Sequence, residues 1–154
     1  MTRCVPVSGK FTPRQKDVYN AVLRVMKAAK KLLVPGTLLN EYHEEVGKLM
    51  EKELIHLGLI TDEDVANQSP ELPAYKKYFM HGTSHYLGLD VHDVGSWTES
   101  IEAGMVFTCE PGIYIPEENL GIRLENDILV TENGPVDLMA NIPLEAEDIE
   151  ALMA

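Results

Sequence analysis

His81-Gly82-Thr83-Ser84-His85-Tyr86-Leu87-Gly88-Leu89-Asp90-Val91-His92-Asp93 places three histidines and two aspartates in thirteen positions. Two acidic segments follow, Cys109-Glu110-Pro111-Gly112 and Gly121-Ile122-Arg123-Leu124-Glu125-Asn126-Asp127. Imidazole nitrogen and carboxylate oxygen together suit Zn, Mn, Co or Fe, so this residue set points to a hydrolytic divalent metal. His81 and His85 are spaced i, i+4, which on a helix puts both on one face. Gly82, Gly88 and the alternation of Leu87, Leu89 and Val91 argue instead for a turn leading into a strand, where the two histidines play different roles. Glu110 ends an otherwise apolar run from Met105, and a carboxylate there is costly unless it is paired or binds metal. Glu125 repeats the pattern beside Arg123, which alternation puts on the same face. Spacing alone leaves two readings of that pair open, a metal ligand or an Arg123–Glu125 ion pair on an edge strand.

The elements that must hold these residues come in two groups. Thr12-Pro13-Arg14-Gln15 is a helix start, with Thr as N-cap, Pro at the first helical position and Gln three residues after the cap. Val18, Val22, Val25, Met26, Ala29 and Leu33 recur at helical spacing until Pro35-Gly36. A second amphipathic helix runs from about Asn40 to Gly58, with Tyr42, Val46, Leu49, Met50 and Leu57 on one stripe. Residues 61–79 read as a loop with one helical turn around Ala74–Tyr78. The period then changes: Met105–Ile115 and Ile122–Thr131 are apolar, β-branched stretches bounded by Gly, Pro and Asn, as strands are. Val136–Met139 is a further short strand, and Leu144–Asp148 opens a terminal helix. Two helices followed by several strands indicate an α+β fold, helices on one face of a mostly antiparallel sheet.

Composition limits the partners. The chain has 154 residues, 45% apolar and 25% charged, about one domain's worth with a single core. Its formal net charge of −12 argues against nucleic acid, which requires a basic footprint. Neither a membrane-spanning run nor a signal sequence is visible, which predicts a cytoplasmic protein without a membrane partner. Cys4 and Cys109 are far apart and lack CxxC spacing, so both are expected as reduced thiols, Cys109 in a packing role.

The three motifs, in their order and spacing, resemble the aminopeptidase P (Xaa-Pro aminopeptidase) family of the creatinase, prolidase and methionine aminopeptidase group. These are metallopeptidases of the pita-bread fold. The likeness covers nearly the whole chain, from Arg3–Gln15 through the two helices to the strands. It implies that His85, Glu110 and Glu125 ligate metal, that His81 and His92 line the substrate site, and that Arg123 supports the cluster on the substrate side. It further implies two ions, usually manganese, with cobalt, zinc or iron as alternatives. Water activated there would attack the peptide carbonyl, with Glu110 as proton shuttle and His92 steadying the carbonyl. The reaction implied is release of an N-terminal residue preceding proline from a proline-containing peptide.

Two family ligands, aspartates on a preceding hairpin, have no counterpart here, since Met1-Thr2-Arg3 matches the segment that follows the second of them. Residues 1–154 are therefore expected to form the second half of the fold, to hold at most one ion, and to be inactive or weakly active alone. An exposed sheet edge would then favour self-association. A prolidase-type dipeptidase and a non-catalytic binding module of the same fold are the alternative readings.

Overall fold

The computed structural model describes residues 1–154. Helix α1 spans Pro13–Ala29 and begins as its local chemistry requires. The Thr12 side chain accepts from the Gln15 amide, and the Gln15 side chain accepts from the Thr12 amide at 2.9 Å. A 3₁₀ turn at Lys30–Leu32 carries the chain to Leu33, so Leu33 is buried but lies beyond the helix. Helix α2 spans Leu39–His56 and packs along α1. Its buried stripe is Leu39, Tyr42, Val46, Met50 and Leu54, so the apolar face is centred on Leu54 rather than on the half-buried Leu57. Gly58, at φ 70°, ends that segment in the left-handed region that favours glycine.

The stretch 61–79 holds more helix than its composition suggests. Thr61 caps a short helix α3, Asp62–Ala66, through a reciprocal box with Asp64. Asp at the third position closes this box where Glu or Gln is usual, which hid it from the sequence pattern. The expected turn is present as 3₁₀ at Ala74–Lys77.

Each of the two apolar stretches divides into a pair of strands, β1 (Val106–Cys109) with β2 (Gly112–Ile115), and β3 (Leu120–Arg123) with β4 (Asn126–Leu129). β1 pairs antiparallel with β4, and β2 with β3. Cys109 faces Asn126 and Gly112 faces Arg123, so one register runs the length of the ribbon. The interruption falls at Glu110-Pro111 and Leu124-Glu125, where Pro111 supplies no amide and its carbonyl accepts from the Leu124 amide at 3.3 Å. The ribbon turns through Pro116–Glu118 and Asn119, which adopts the left-handed conformation at φ 50°.

The last strand is shorter than expected, β5 being Val136–Asp137 on the outer edge of β4. The terminal helix α4 begins slightly later, at Ala146, and runs to Leu152. One core joins the layers: Val18, Val22 and Met26 of α1 and Tyr42 and Met50 of α2 share a cluster with Phe107, Ile113, Leu124 and Ile128 of the ribbon. Helices on a mostly antiparallel sheet are thus observed. No helix is long and apolar enough to cross a membrane.

Candidate metal centre

The uniform register sets Glu110 and Glu125 opposite each other across the ribbon, at the point where the ladder is interrupted. Like charges directly opposite on adjacent strands repel unless something lies between them. Burial pushes the Glu110 carboxyl above its ordinary range, and the neighbouring Glu125 pushes it further the same way. His85, His81 and Arg123 act in the opposite sense without cancelling this.

His85 comes to the pair along the free edge of β1. The Thr108 amide donates to the His85 carbonyl at 3.2 Å, the Glu110 amide donates to the Thr83 carbonyl at 2.7 Å, and Tyr86 bridges Phe107. Thr108 also accepts from the His85 amide through its buried hydroxyl, at 3.1 Å. Residues 83–86 therefore do the edge pairing that the alternation assigned further along. Leu87–Val91 is not a strand: the Asp93 amide donates to the Tyr86 carbonyl, and the Tyr86 hydroxyl donates to the Ser96 carbonyl at 2.6 Å. A Cβ on Gly95 would stand 2.2 Å from the Tyr86 ring, so that close return needs glycine. Leu89 and Val91, apolar in the alternation, are exposed because the chain folds back before any sheet face can form.

That return places His92 against His85, ring centroids 4.3 Å apart and edge to face. His85 Nδ1 donates to the Tyr86 carbonyl at 2.8 Å, and Nε2 on the other side of the ring lies 3.4 Å from Glu110 Oε1. Arg123 Nη1 lies 3.6 Å from Glu110 Oε2, so the arginine pairs across the ribbon with Glu110 rather than along its own strand with Glu125. Glu125 is engaged from the other side. The Thr2 hydroxyl donates to Glu125 Oε2, Thr2 and Glu125 exchange both backbone hydrogen bonds at 3.1 Å, and Arg3 Nη1 donates to the Glu125 carbonyl at 2.9 Å.

His81 stands further along the same wall. Its Nδ1 donates to the Gly82 carbonyl at 2.7 Å, and its Nε2 accepts from the Tyr114 hydroxyl at 2.9 Å. The sequence reading gave no role to Thr2, Thr108 or Tyr114. Each is a single hydroxyl with no distinctive spacing, and only the fold brings it to the site. Cys109, one residue from Glu110, is fully buried, and burial raises its thiol to about 12.

The donor set fits a divalent ion. One ligand atom from each of His85, Glu110 and Glu125 lies within 4.8 Å of the others. Tetrahedral coordination at about 2.1 Å places ligands roughly 3.4 Å apart, so only a small inward movement is needed. The hydrogen bond from His85 Nδ1 to a carbonyl is the outer-shell contact that fixes a ligating imidazole.

Comparison with known proteins is consistent across three levels. The signature of metallopeptidase family M24 matches residues 1–132. The Xaa-Pro aminopeptidase of Haemophilus influenzae is 41% identical over 99% of this chain and 38% of its own length. That of Escherichia coli is 42% identical over 99% of the chain and 37% of its own. Among solved structures, zinc-substituted E. coli aminopeptidase P in complex with product superposes with a TM-score of 0.86 at 42% identity, covering 98% of this chain and 37% of that one. The chain thus spans less than two fifths of the length of the relatives it matches.

Proposed function

The chain belongs to metallopeptidase family M24, and on that premise we propose that it builds one wall of a metal-dependent Xaa-Pro aminopeptidase site. The observation that carries this reading is the pair of facing glutamates, Glu110 and Glu125, with His85 Nε2 turned toward them. Two like charges held opposite each other and partly buried are stable when a cation lies between them. His85, Glu110 and Glu125 would hold that ion, with manganese our assignment among the metals such ligands suit. A bound divalent ion would bring the pKa of a coordinated water near neutrality and polarise the scissile carbonyl. A second ion would need ligands beyond these three.

The remaining side chains have separable tasks. Glu110 takes the proton released as water adds to the carbonyl and passes it to the leaving proline nitrogen. His92, packed on His85, donates a hydrogen bond to the carbonyl oxygen as charge develops there. His81 and Tyr114 form a hydrogen-bonded wall for the substrate, and Arg123 holds Glu110 in orientation from across the ribbon.

Manganese titration of the purified chain, followed by calorimetry and by the electron paramagnetic signal of free Mn(II), tests the site directly. One ion per chain is expected, with affinity lowered about tenfold or more in His85→Ala and in Glu125→Gln. Binding that is absent, or indifferent to both substitutions, refutes the proposed site.

A further inference from the structure

The core-facing stripe along the second arm of the ribbon reads Ile122, Leu124, Asn126, Ile128, Val130, and Asn126 is its one polar member. At 1% exposure it is as buried as its apolar neighbours. Its Nδ2 donates to both carboxylate oxygens of Asp137, at 2.9 Å each, and its Oδ1 is buried without a partner. A buried amide left half satisfied costs stability, so an apolar side chain would serve the core better here. What the amide adds is a fixed direction.

Asp137 is itself held on several sides. It lies opposite Ile128 at the end of β5, which puts its side chain on the same core-facing side as Asn126, two residues along. Lys30 Nζ, from the 3₁₀ turn after α1, donates to it at 2.9 Å, and the Met139 amide donates at 3.0 Å. Burial acts to raise the Asp137 carboxyl, but the hydrogen bonds from Lys30, Asn126 and Met139 outweigh it and hold the group below its ordinary range. Residue for residue, β5 pairs only with Ile128 and Leu129. The side-chain bridge carries the grip of β5 two residues further, to Asn126.

Asn126 is the neighbour of Glu125 and, opposite Cys109, closes the β1–β4 ladder before the interruption. Successive side chains of an extended chain point to opposite faces, so holding Asn126 inward turns Glu125 outward, to the side where it meets Glu110 and His85. Resting on the metal reading above, we propose that Asp137 is a positioning residue for Glu125, acting through Asn126, with Lys30 as its anchor in the helical layer. The route runs by hydrogen bonds from Lys30 to Asp137 and on to Asn126, then along one peptide unit to Glu125. A buried ion pair of this kind adds little net stability, and its effect lies in the one orientation it allows.

Manganese affinity of the purified chain, read by calorimetry, tests this. Asp137→Leu, close in size but unable to hydrogen-bond, is expected to weaken binding about tenfold. Asn126→Leu should weaken it by the same factor, and the double variant no further, because both cut a single route. Asn126→Leu also carries the comparison should Asp137→Leu not fold. Asp137→Asn keeps an acceptor for Asn126 Nδ2 and adds a donor for its unpartnered Oδ1, so its affinity should stay within about threefold of wild type. Leu54→Ala, which opens a cavity in the helical layer, separates positioning from general loss of stability: its affinity should equal that of wild type. If the wild type binds and Asp137→Leu binds as tightly, the positioning role is overturned and the metal site stands. The same holds if the two leucine losses add, or if Asp137→Asn or Leu54→Ala loses as much as Asp137→Leu. A wild-type chain that binds no manganese overturns the metal reading and this role with it.

Discussion

His43 makes the stability of this chain depend on pH in a calculable way. Burial lowers its imidazole from the ordinary 6.5 to about 4, and Lys76 adds to the shift, so the folded state holds it neutral where the unfolded chain binds a proton. Between these values the unfolded state carries more protons, so stability rises with pH. The contribution is complete above about 6.5, is lost as pH falls toward 4, and changes no further below that, where both states are protonated. At about 1.36 kcal/mol per tenfold change in proton affinity the interval amounts to roughly 3 kcal/mol. The ring is partly open to solvent, and screening reduces this to about 2 kcal/mol. His43→Asn removes the titration while leaving an oxygen to accept from the Thr83 amide. Urea unfolding followed by far-ultraviolet circular dichroism, from pH 4 to 7.5, gives the stability of both proteins. Circular dichroism is preferred because Trp97 stacks on His43 and its emission would change with the substitution itself. All other titrating groups are common to the two, so the difference isolates His43: the wild type should lose about 2 kcal/mol more than the variant between pH 6.5 and 4. Parallel curves would refute the reasoning, since they would mean that the folded ring titrates at its ordinary value.

Two further outcomes follow from burial elsewhere. Leu54→Ala should destabilise by about 2–5 kcal/mol in the same urea assay, because Leu54 is fully buried between the helices and the loss leaves a cavity; a cost below about 1 kcal/mol would show that the α1–α2 packing is looser than described. Cys109 should resist thiol reagents in the native protein at pH 8 and react only on unfolding, while the half-buried Cys4 reacts first, with mass spectrometry of the labelled peptides as the readout; early labelling of Cys109 would contradict its burial.

The parts of this fold that could be read from residues are those governed by local chemistry. Helix α1 begins at Pro13 as read because cap, proline and glutamine all lie within four residues. The ribbon was legible as two apolar stretches, and its interruption was not, because the break depends on which strand each half faces. The convergence of His85 on Glu110 and Glu125 was implied by family resemblance, and the residues alone left Glu125 open between a ligand and an ion pair with Arg123. The fold pairs Arg123 with Glu110 instead, a choice fixed by cross-strand register that neither residue announces. Leu87–Val91 misled for a related reason: alternation predicts a strand wherever a sheet face is available, and Gly95 folding onto Tyr86 removes the face. The α3 cap was missed through its unusual aspartate.

The single register of the ribbon also governs which changes in chain length this site can absorb. Glu110 faces Glu125 because equal numbers of residues separate each from the turn, the four strand pairs from Gly112–Arg123 to Ile115–Leu120 among them. Residues added within the tip, at Pro116–Asn119, lengthen the loop and leave every pair below it in place. One residue added to a single strand between tip and site would slide Glu110 past its partner and turn one carboxylate to the opposite face. The hairpin tip is thus free to drift in length over descent, while the few positions beneath it are locked in number as firmly as the glutamates are in kind.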